Sequence, residues 1–188
     1  DSNRDSYQNL ITLNKIKSLN QKQEIEFAEP IFILHPLVVP NDEYYGFQWH
    51  YPALNLPQAW SITTGSGETN EVIAAVADTG VFLSHPEFAG QLVGGYDFIS
   101  NLLTSGDGDG IDSNPDDPGD SSQIGSSSWH GTHVAGTIAA QTNNSVGLAG
   151  VSWGAKVMPI RVLGIGGGTS YDIIQGVRFA AGLSNDSN

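Results

Sequence analysis

The chain contains no cysteine, so disulfide bonds and thiolate chemistry are both excluded. Basic residues are also scarce, with 7 Lys and Arg against 20 Asp and Glu and a formal net charge of −13. Such a surface would repel a phosphate backbone, so we expect no nucleic-acid partner. No apolar run reaches the roughly 20 residues that span a bilayer, because PIFILHPLVVP is short and is broken by His35 and prolines. We therefore expect no membrane association.

The bulk composition is typical of a compact globular protein. A hydrophobic content of 39% with 23 glycines suits a fold with many tight turns, and 188 residues suffice for one domain with a smaller appendage. The chain starts at Asp1, and no signal-peptide pattern is present. We expect it to begin inside a longer precursor.

The first part of the chain differs in pattern from the rest. Residues 5–23 carry leucine and isoleucine at helical spacing, and EIEFAEPIFIL then predicts an extended segment that ends at His35-Pro36. Residues 37–52, rich in Pro, Asn and aromatic residues, are interpreted as a linker. The composition changes near residue 40, where we place a domain boundary.

Beyond the boundary, strand and helix patterns alternate. Residues 71–78 and 155–163 predict strands buried on both faces of a sheet, and residues 129–141 and 170–183 predict helices, with a loop at 100–128. This alternation predicts an α/β fold with a doubly wound, mostly parallel sheet. Active sites of such sheets lie beyond the carboxyl ends of the strands, and Asp78 stands at one such end.

Asp78 and His130 are the residues best placed for chemistry. A carboxylate at the end of a buried strand either caps the following turn or serves a site, and Asp78 alone fits both interpretations. His130 opens a helix made of small residues, where the positive end of the helix dipole disfavours protonation. An imidazole in that position can act as a neutral base near pH 7.

Two long motifs carry a family resemblance. The stretch VIAAVADTGVFLSHPEF and the later stretch SSWHGTHVAGTIAAQTNNSVGLAGV closely resemble the boxes around the catalytic Asp and His of subtilisin-like serine proteases, in the family's order. The resemblance runs from about Pro40 to the end and implies the first half of a subtilase catalytic domain. It implies that His130 is the general base and that Asp78 fixes its tautomer and stabilises the imidazolium.

The family's nucleophile is absent from these residues. Its serine lies in a G-T-S-M-A box, and a separate Asn donates to the oxyanion, but neither motif occurs here. None of the serines near the site has that context: Ser126, Ser127, Ser128, Ser152 and Ser170. We therefore expect the chain to be truncated before the nucleophile, to be inactive alone, and to need the remainder of its catalytic domain as a partner.

The glycine-rich stretch GIGGGTS (164–170) resembles the subtilase edge segment that lies antiparallel beside a polypeptide substrate. The resemblance implies substrate contacts at Gly166, Gly167 and Gly168, and an apolar subsite at Leu163. A flexible turn between strand and helix is the alternative interpretation.

An acidic loop is the first candidate calcium site. GDGDGIDSNPDDPGD holds six aspartates between residues 107 and 120, and oxygen-rich loops of this kind bind hard cations. We take Asp107, Asp109 and Asp112 as candidate ligands, although the spacing is not that of an EF-hand. A solvated acidic loop without an ion remains the alternative.

The resemblance implies a second calcium site. PNDEYY is similar to the start of several mature subtilases, where the Asp, here Asp42, is a ligand. Glu87 stands where the family has an Asp, and this departure leaves the geometry open. The loop QTNNSVGL would add the remaining ligands, with two acting through backbone carbonyls: Gln141, Asn144, Val146 and Leu148. The implied role of the calcium is stability.

The resemblance also accounts for residues 1–39. A helix followed by an extended segment resembles the second half of a subtilase propeptide, which assists folding and inhibits the enzyme. An ordinary N-terminal helical extension is the alternative. The family further implies that residues 40–188 belong to a secreted, extracellular protease.

Two other classes of function compete with a protease. A degenerate subtilase could present its groove as a peptide-binding module without cutting. A nucleotide- or metal-dependent α/β enzyme could place Asp78 on Mg²⁺, or use His130 and His133 as metal ligands, but no G-x-G-x-x-G or P-loop opens a helix here.

Overall fold

A computed structural model of the chain describes residues 2–31, 36–66, 71–123 and 125–187. The chain divides into two compact units, residues 1–36 and 37–188. The first unit contains helix α1 (Ser2–Leu19). After it the chain reverses, and the side chain of Asn20 bonds both the N–H and the carbonyl of Ala28. Residues 25–31 pair with no strand among the described residues, and residues 32–35 of the predicted extended segment lie outside them.

The second unit is built on a three-stranded parallel sheet. Its strands are β1 (Ile73–Asp78), β2 (Tyr96–Asp97) and β3 (Lys156–Arg161), in the order β1-β3-β2. Its helices are α2 (His50–Ala53), α3 (Leu56–Trp60), α4 (Leu102–Ser105), α5 (His130–Ala139) and α6 (Ser170–Ala180), with short 3₁₀ turns at Tyr45–Phe47 and Pro86–Phe88. In the register, Asp78 and Asp97 both lie beside Arg161, so the carboxyl ends of all three strands meet at one edge.

Helices cover both faces of this sheet. Val157 and Ile160 of β3 are three positions apart, an odd number, so their side chains point to opposite faces. Val157 packs with the small residues of α5, and Ile160 packs with residues of α6 such as Ile173 and Phe179. The predicted doubly wound α/β fold is confirmed.

Some predictions from the sequence differ from the structure. In β1, Val76 is buried, but alternate residues on the other face are exposed in this chain: Ile73, Ala75 and Ala77. Residues 37–52 are not a simple linker, because Tyr51 is fully buried against Trp60 in an aromatic cluster. The predicted loop at 100–128 contains the short helix α4.

None of the helices in the described ranges is both long enough and apolar enough to cross a membrane.

Candidate active site

Asp78 and His130 meet at the carboxyl edge of the sheet. Asp78 is the last residue of β1 and His130 is the first of α5, and the His130 Nδ1 atom lies 2.8 Å from both carboxylate oxygens of Asp78. The carboxylate is buried, whereas 61% of the imidazole side chain is accessible. A proton on Nδ1 is therefore donated to Asp78, and the accessible Nε2 is left as the basic atom of the pair.

Gly131 allows α5 to begin directly against the turn that follows β1. A Cβ atom at this position would lie 2.2 Å from the carbonyl oxygen of Gly80 and 3.1 Å from the Cβ of Asp78. No side chain fits in that space. Glycine at position 131 therefore brings the helix close enough for His130 to reach Asp78.

Hydroxyl groups accept hydrogen bonds from the first two N–H groups of α5. Trp129, the N-cap residue, is left-handed with φ 52° and ψ 35°, and within the described ranges its side chain makes no capping hydrogen bond. Instead, the His130 N–H donates to Ser128 Oγ over 3.3 Å, and the Gly131 N–H donates to Thr79 Oγ1 over 3.0 Å. These donors have no acceptor inside the helix, so the two hydroxyls fix its start.

A carboxylate stands behind each of these hydroxyls. Thr79 Oγ1 donates to Asp117 Oδ2 over 2.7 Å, and Ser128 donates to both oxygens of Asp120, from N over 2.7 Å and from Oγ over 2.5 Å. Burial raises the pKa of Asp117, whereas the hydrogen bonds from Ser128 lower the pKa of Asp120. We did not predict these residues from the sequence. The position of Thr79 directly after Asp78 could have indicated its role, but no sequence pattern singles out Asp117 and Asp120.

An open groove of about 490 Å³ lies beside the imidazole. Its lining includes His130 together with three of the four predicted substrate residues: Leu163, Gly166 and Gly167. Gly168 lines an adjoining cavity of about 210 Å³. The structure thus brings the glycine segment to the candidate base.

The glycine segment itself is a tight turn. Gly164 and Gly167 exchange N–H···O hydrogen bonds of 3.0 Å in both directions, and Gly166 and Gly167 have φ of 82° and 111°. Within the described residues, no heavy atom lies within 4 Å of a Cβ built at Gly166 or Gly167. The backbone at this turn is therefore open to another chain.

The residues of the second candidate calcium site share one network. Asp42 Oδ2 accepts the N–H of Asn143 over 2.8 Å, and Glu87 Oε1 accepts the N–H of Leu148 over 3.2 Å. Asn144 Nδ2 donates to Gln141 Oε1 over 3.3 Å, and the Val146 N–H donates to Asn144 Oδ1. Asp42 and Glu87 therefore each bond to the loop of residues 141–148, which contains the other four predicted ligands.

In this network Glu87 has one carboxylate oxygen without a hydrogen-bond partner among the described residues. The residue is 8% exposed, and this oxygen, Oε2, is buried. Burial raises the pKa of Glu87, the bond from Leu148 and the charge of His85 oppose the rise, and the charge of Asp42 adds to it. Two carboxylates and neutral oxygens are a donor set that suits calcium.

The first candidate calcium site is arranged differently. Arg161, fully buried at the end of β3, pairs with the carboxylates of both Asp97 and Asp107. Burial raises the pKa of Asp97 to about 6 despite this pairing. Burial alone would also raise the pKa of Asp107, but hydrogen bonding from Ser105 and the charge of Arg161 lower it overall. The single positive charge of Arg161 is therefore shared between the two carboxylates of Asp97 and Asp107.

The other two predicted ligands of the acidic loop lie apart from Arg161. Asp109 has an exposed side chain. Desolvation, followed by the negative charges of Asp107 and Asp112, raises its pKa. Asp112 pairs through its backbone with Asp97, and its Oδ1 accepts the N–H of Asn114. Across the described part of the chain, no three His, Asp or Glu side chains are grouped as a metal site.

Comparisons with known proteins identify the family of the chain. A family model described as Peptidase S8, the subtilase family, matches residues 69–188. The extracellular protease of Xanthomonas campestris pv. campestris is 43% identical over 180 residues, covering 89% of this chain and 30% of that protein. The extracellular basic protease of Dichelobacter nodosus is 43% identical over 176 residues, covering 85% and 28%. The chain thus spans less than a third of the length of these relatives.

A solved structure gives the same result. A protease from Pseudoalteromonas arctica PAMC 21717 superimposes with a TM-score of 0.71 at 48% identity, covering 78% of this chain and 45% of that one. The chain has an incomplete α/β fold of the subtilisin type, with a paired Asp and His at the carboxyl edge of its sheet. The chain belongs to the subtilase family, as its two long motifs indicate.

Proposed function

We propose that the full-length protein is a serine endopeptidase of the subtilisin type, and that this chain supplies its Asp and its His. The hydrogen bond between His130 Nδ1 and the buried carboxylate of Asp78 carries the proposal. It leaves Nε2 free at a groove of a size that admits a polypeptide. The subtilase relatives support the same reaction class.

In this reaction His130 moves a proton twice. Its Nε2 takes the hydroxyl proton of a serine as the serine oxygen attacks the scissile carbonyl carbon. The proton then passes to the amine that leaves, and an acyl-enzyme remains. Water, deprotonated by the same Nε2, hydrolyses the ester and restores the serine. In both halves the carboxylate of Asp78 stabilises the imidazolium and holds the ring in one tautomer.

The serine would come from sequence outside these 188 residues, in the remainder of the catalytic domain. Surfaces that such a partner would cover support this part of the proposal. An apolar cavity of about 510 Å³ runs beside α5 and is lined by Phe88, Trp129 and Gly136 among others. On α6, Tyr171, Ile174 and Val177 follow one another at helical spacing, and each is more than half exposed.

The substrate would be a polypeptide lying along the glycine turn. Gly166 and Gly167 offer open backbone beside His130, and Leu163 offers an apolar contact in the same groove. Gly168 would extend this contact into the adjoining cavity. Main-chain pairing of this kind holds an extended peptide independently of most of its side chains.

We also propose that residues 1–39 are the end of a propeptide and that the mature enzyme acts outside the cell. The helix-rich first unit supports the first point. Two relatives named extracellular proteases and the acidic composition support the second.

The proposal is tested with a fluorophosphonate probe on the protein from the full-length gene. We expect the probe to label a serine outside residues 1–188, and we expect His130→Ala to abolish the labelling because the hydroxyl loses its base. A matched control, His133→Ala, changes a histidine one helical turn away and should keep the labelling. A folded, propeptide-free sample that neither binds the probe nor cleaves casein would overturn the protease and leave a peptide-binding module.

Calcium is proposed as a structural ion at the second candidate site. Asp42, Glu87 and Gln141 would supply side-chain oxygens, Asn144 would add another, and Val146 and Leu148 would supply carbonyls. The buried, unpartnered Oε2 of Glu87 supports this assignment. The bound ion would hold the start of the catalytic domain against the loop after α5. Asp107, Asp109 and Asp112 are proposed as a further, weaker site, since Arg161 already pairs with Asp107.

Removing calcium should lower the stability of the protein. With calcium at about 100 times its Kd, the free energy of unfolding rises by about 2.7 kcal/mol, and EDTA should cancel this gain in thermal unfolding. Glu87→Gln should remove most of the calcium effect, whereas Glu71→Gln, which changes an exposed carboxylate, should keep it. If Asp109→Asn removes the effect and Glu87→Gln does not, the ion is in the acidic loop.

The same measurement has a pH signature. Because burial raises the pKa of Glu87 in the calcium-free fold, its contribution to stability is full at low pH and is lost as pH rises through that raised pKa. Calcium needs the ionised carboxylate, so its stabilising effect should grow over the same pH range. A calcium effect that stays constant from acidic to neutral pH would exclude Glu87 as a ligand.

A further inference from the structure

Two relays of the same construction reach the start of α5. In one, Asp120 accepts from Ser128 Oγ, which accepts from the His130 N–H. In the other, Asp117 accepts from Thr79 Oγ1, which accepts from the Gly131 N–H. In each relay the hydroxyl donates a hydrogen bond to a carboxylate and accepts one from a backbone N–H. The triad mechanism uses neither carboxylate.

The carboxylate decides which way each hydroxyl points. A free serine hydroxyl rotates and can donate or accept. Because the Ser128 hydroxyl donates to Asp120, its oxygen is oriented to accept from the His130 N–H. A hydroxyl that donates to an anion is also a stronger acceptor than a free one. The Ser128 N–H also donates to Asp120, over 2.7 Å, so residue 128 is held by two bonds.

This clamp acts on a strained piece of backbone. Trp129, between Ser128 and His130, is held at a positive φ of 52°. A left-handed non-glycine residue costs free energy and persists where its neighbours impose it. Here the bonds from Ser128 to Asp120 and from the His130 N–H to Ser128 flank Trp129 on both sides.

We propose that Asp120 is a positioning residue for His130. Through Ser128 it caps the first N–H of α5, keeps Trp129 left-handed and sets the imidazole in line with Asp78. Its negative charge also lies near the positive end of the α5 dipole. This inference rests on the proposed protease function for its catalytic consequence, but the cap itself is a property of the 188-residue chain.

The first arm of the test is amide hydrogen exchange on the 188-residue chain. Asp120→Asn and Ser128→Ala should each speed exchange of the His130 N–H by about tenfold. The Gly131 N–H, which Thr79 holds, should change less than about twofold, and Glu71→Gln should change neither. The NMR signal of the proton on His130 Nδ1 should weaken in the two relay variants, because the ring is less well held against Asp78.

The second arm is kinetics on the full-length protein. Both relay variants should lower kcat by about tenfold, because the base is misplaced. Asp120 and Ser128 also line the groove, so KM is compared in Asp120→Asn, which keeps the size of the side chain and should leave KM within about twofold. An unchanged His130 amide would overturn the proposal, and so would a faster amide with unchanged kcat. If the wild-type full-length protein is inactive, the protease function fails, and the amide and ring signals of the chain still decide whether Asp120 positions His130.

Discussion

Replacing Asp78 by asparagine in the full-length protein, the proposed protease, is expected to lower kcat by about 10⁴-fold, the size that this loss has in serine proteases with this triad. The His130 ring now has its Nδ1 2.8 Å from the carboxylate oxygens, and this anion accepts the Nδ1 proton. An asparagine can turn its NH₂ towards the ring, which places the imidazole proton on Nε2. That tautomer cannot accept a proton from serine, so the chemical step fails while peptide binding is kept.

The measurement is kcat and KM on a peptide substrate, with thermal unfolding to confirm that the variant folds. Asp186→Asn, which changes an exposed aspartate after α6, is the matched control and should retain wild-type kcat. A rise in KM with unchanged kcat would mean that Asp78 contributes to binding and not to the chemistry. Loss of less than about tenfold in kcat would show that another group holds the His130 tautomer.

Much of the fold could be predicted because its strongest patterns are local. The apolar run that ends at Asp78 and the small-residue segment from His130 became β1 and α5 within two residues of the predicted limits. What failed depended on tertiary packing. Tyr51 lies in a stretch that looks like a linker, and it is buried because Trp60 and the carbonyl of Ala149, about a hundred residues on, receive it.

The candidate site divides in the same way. The geometry of Asp78 and His130 could be predicted from two motifs and the rule that parallel strands end at one edge. The hydrogen bonds of Thr79 and Ser128 to Asp117 and Asp120 could not be predicted in this way. Asp117 lies 38 residues from Thr79, and no periodicity in the sequence links the two. The acidic loop shows the same limit: its composition indicates a cation, and the cation that the structure places on Asp107 is the guanidinium of Arg161.

Gly131→Ala is expected to destabilise the chain by about 2–3 kcal/mol, as overpacked sites do. A methyl group at this position would stand 2.2 Å from the Gly80 carbonyl oxygen, and that oxygen belongs to backbone, which cannot rotate away. The start of α5 would have to shift outwards. His130 would then move away from Asp78, so the proposed activity of the full-length protein should also lose kcat by about 100-fold. Urea unfolding of the chain gives the first quantity.

Gly136→Ala is the matched control in the same helix, because it makes the same chemical change five residues later. A Cβ there would have Phe88 Cζ as its nearest neighbour, at an ordinary contact distance of 3.9 Å. Alanine is the better helix former by about 1 kcal/mol, so this variant should be as stable as the parent or more so. The opposite signs separate close approach from helix propensity. If both variants gained stability, the close approach of Gly131 to the Gly80 carbonyl would not be what limits the side chain at position 131.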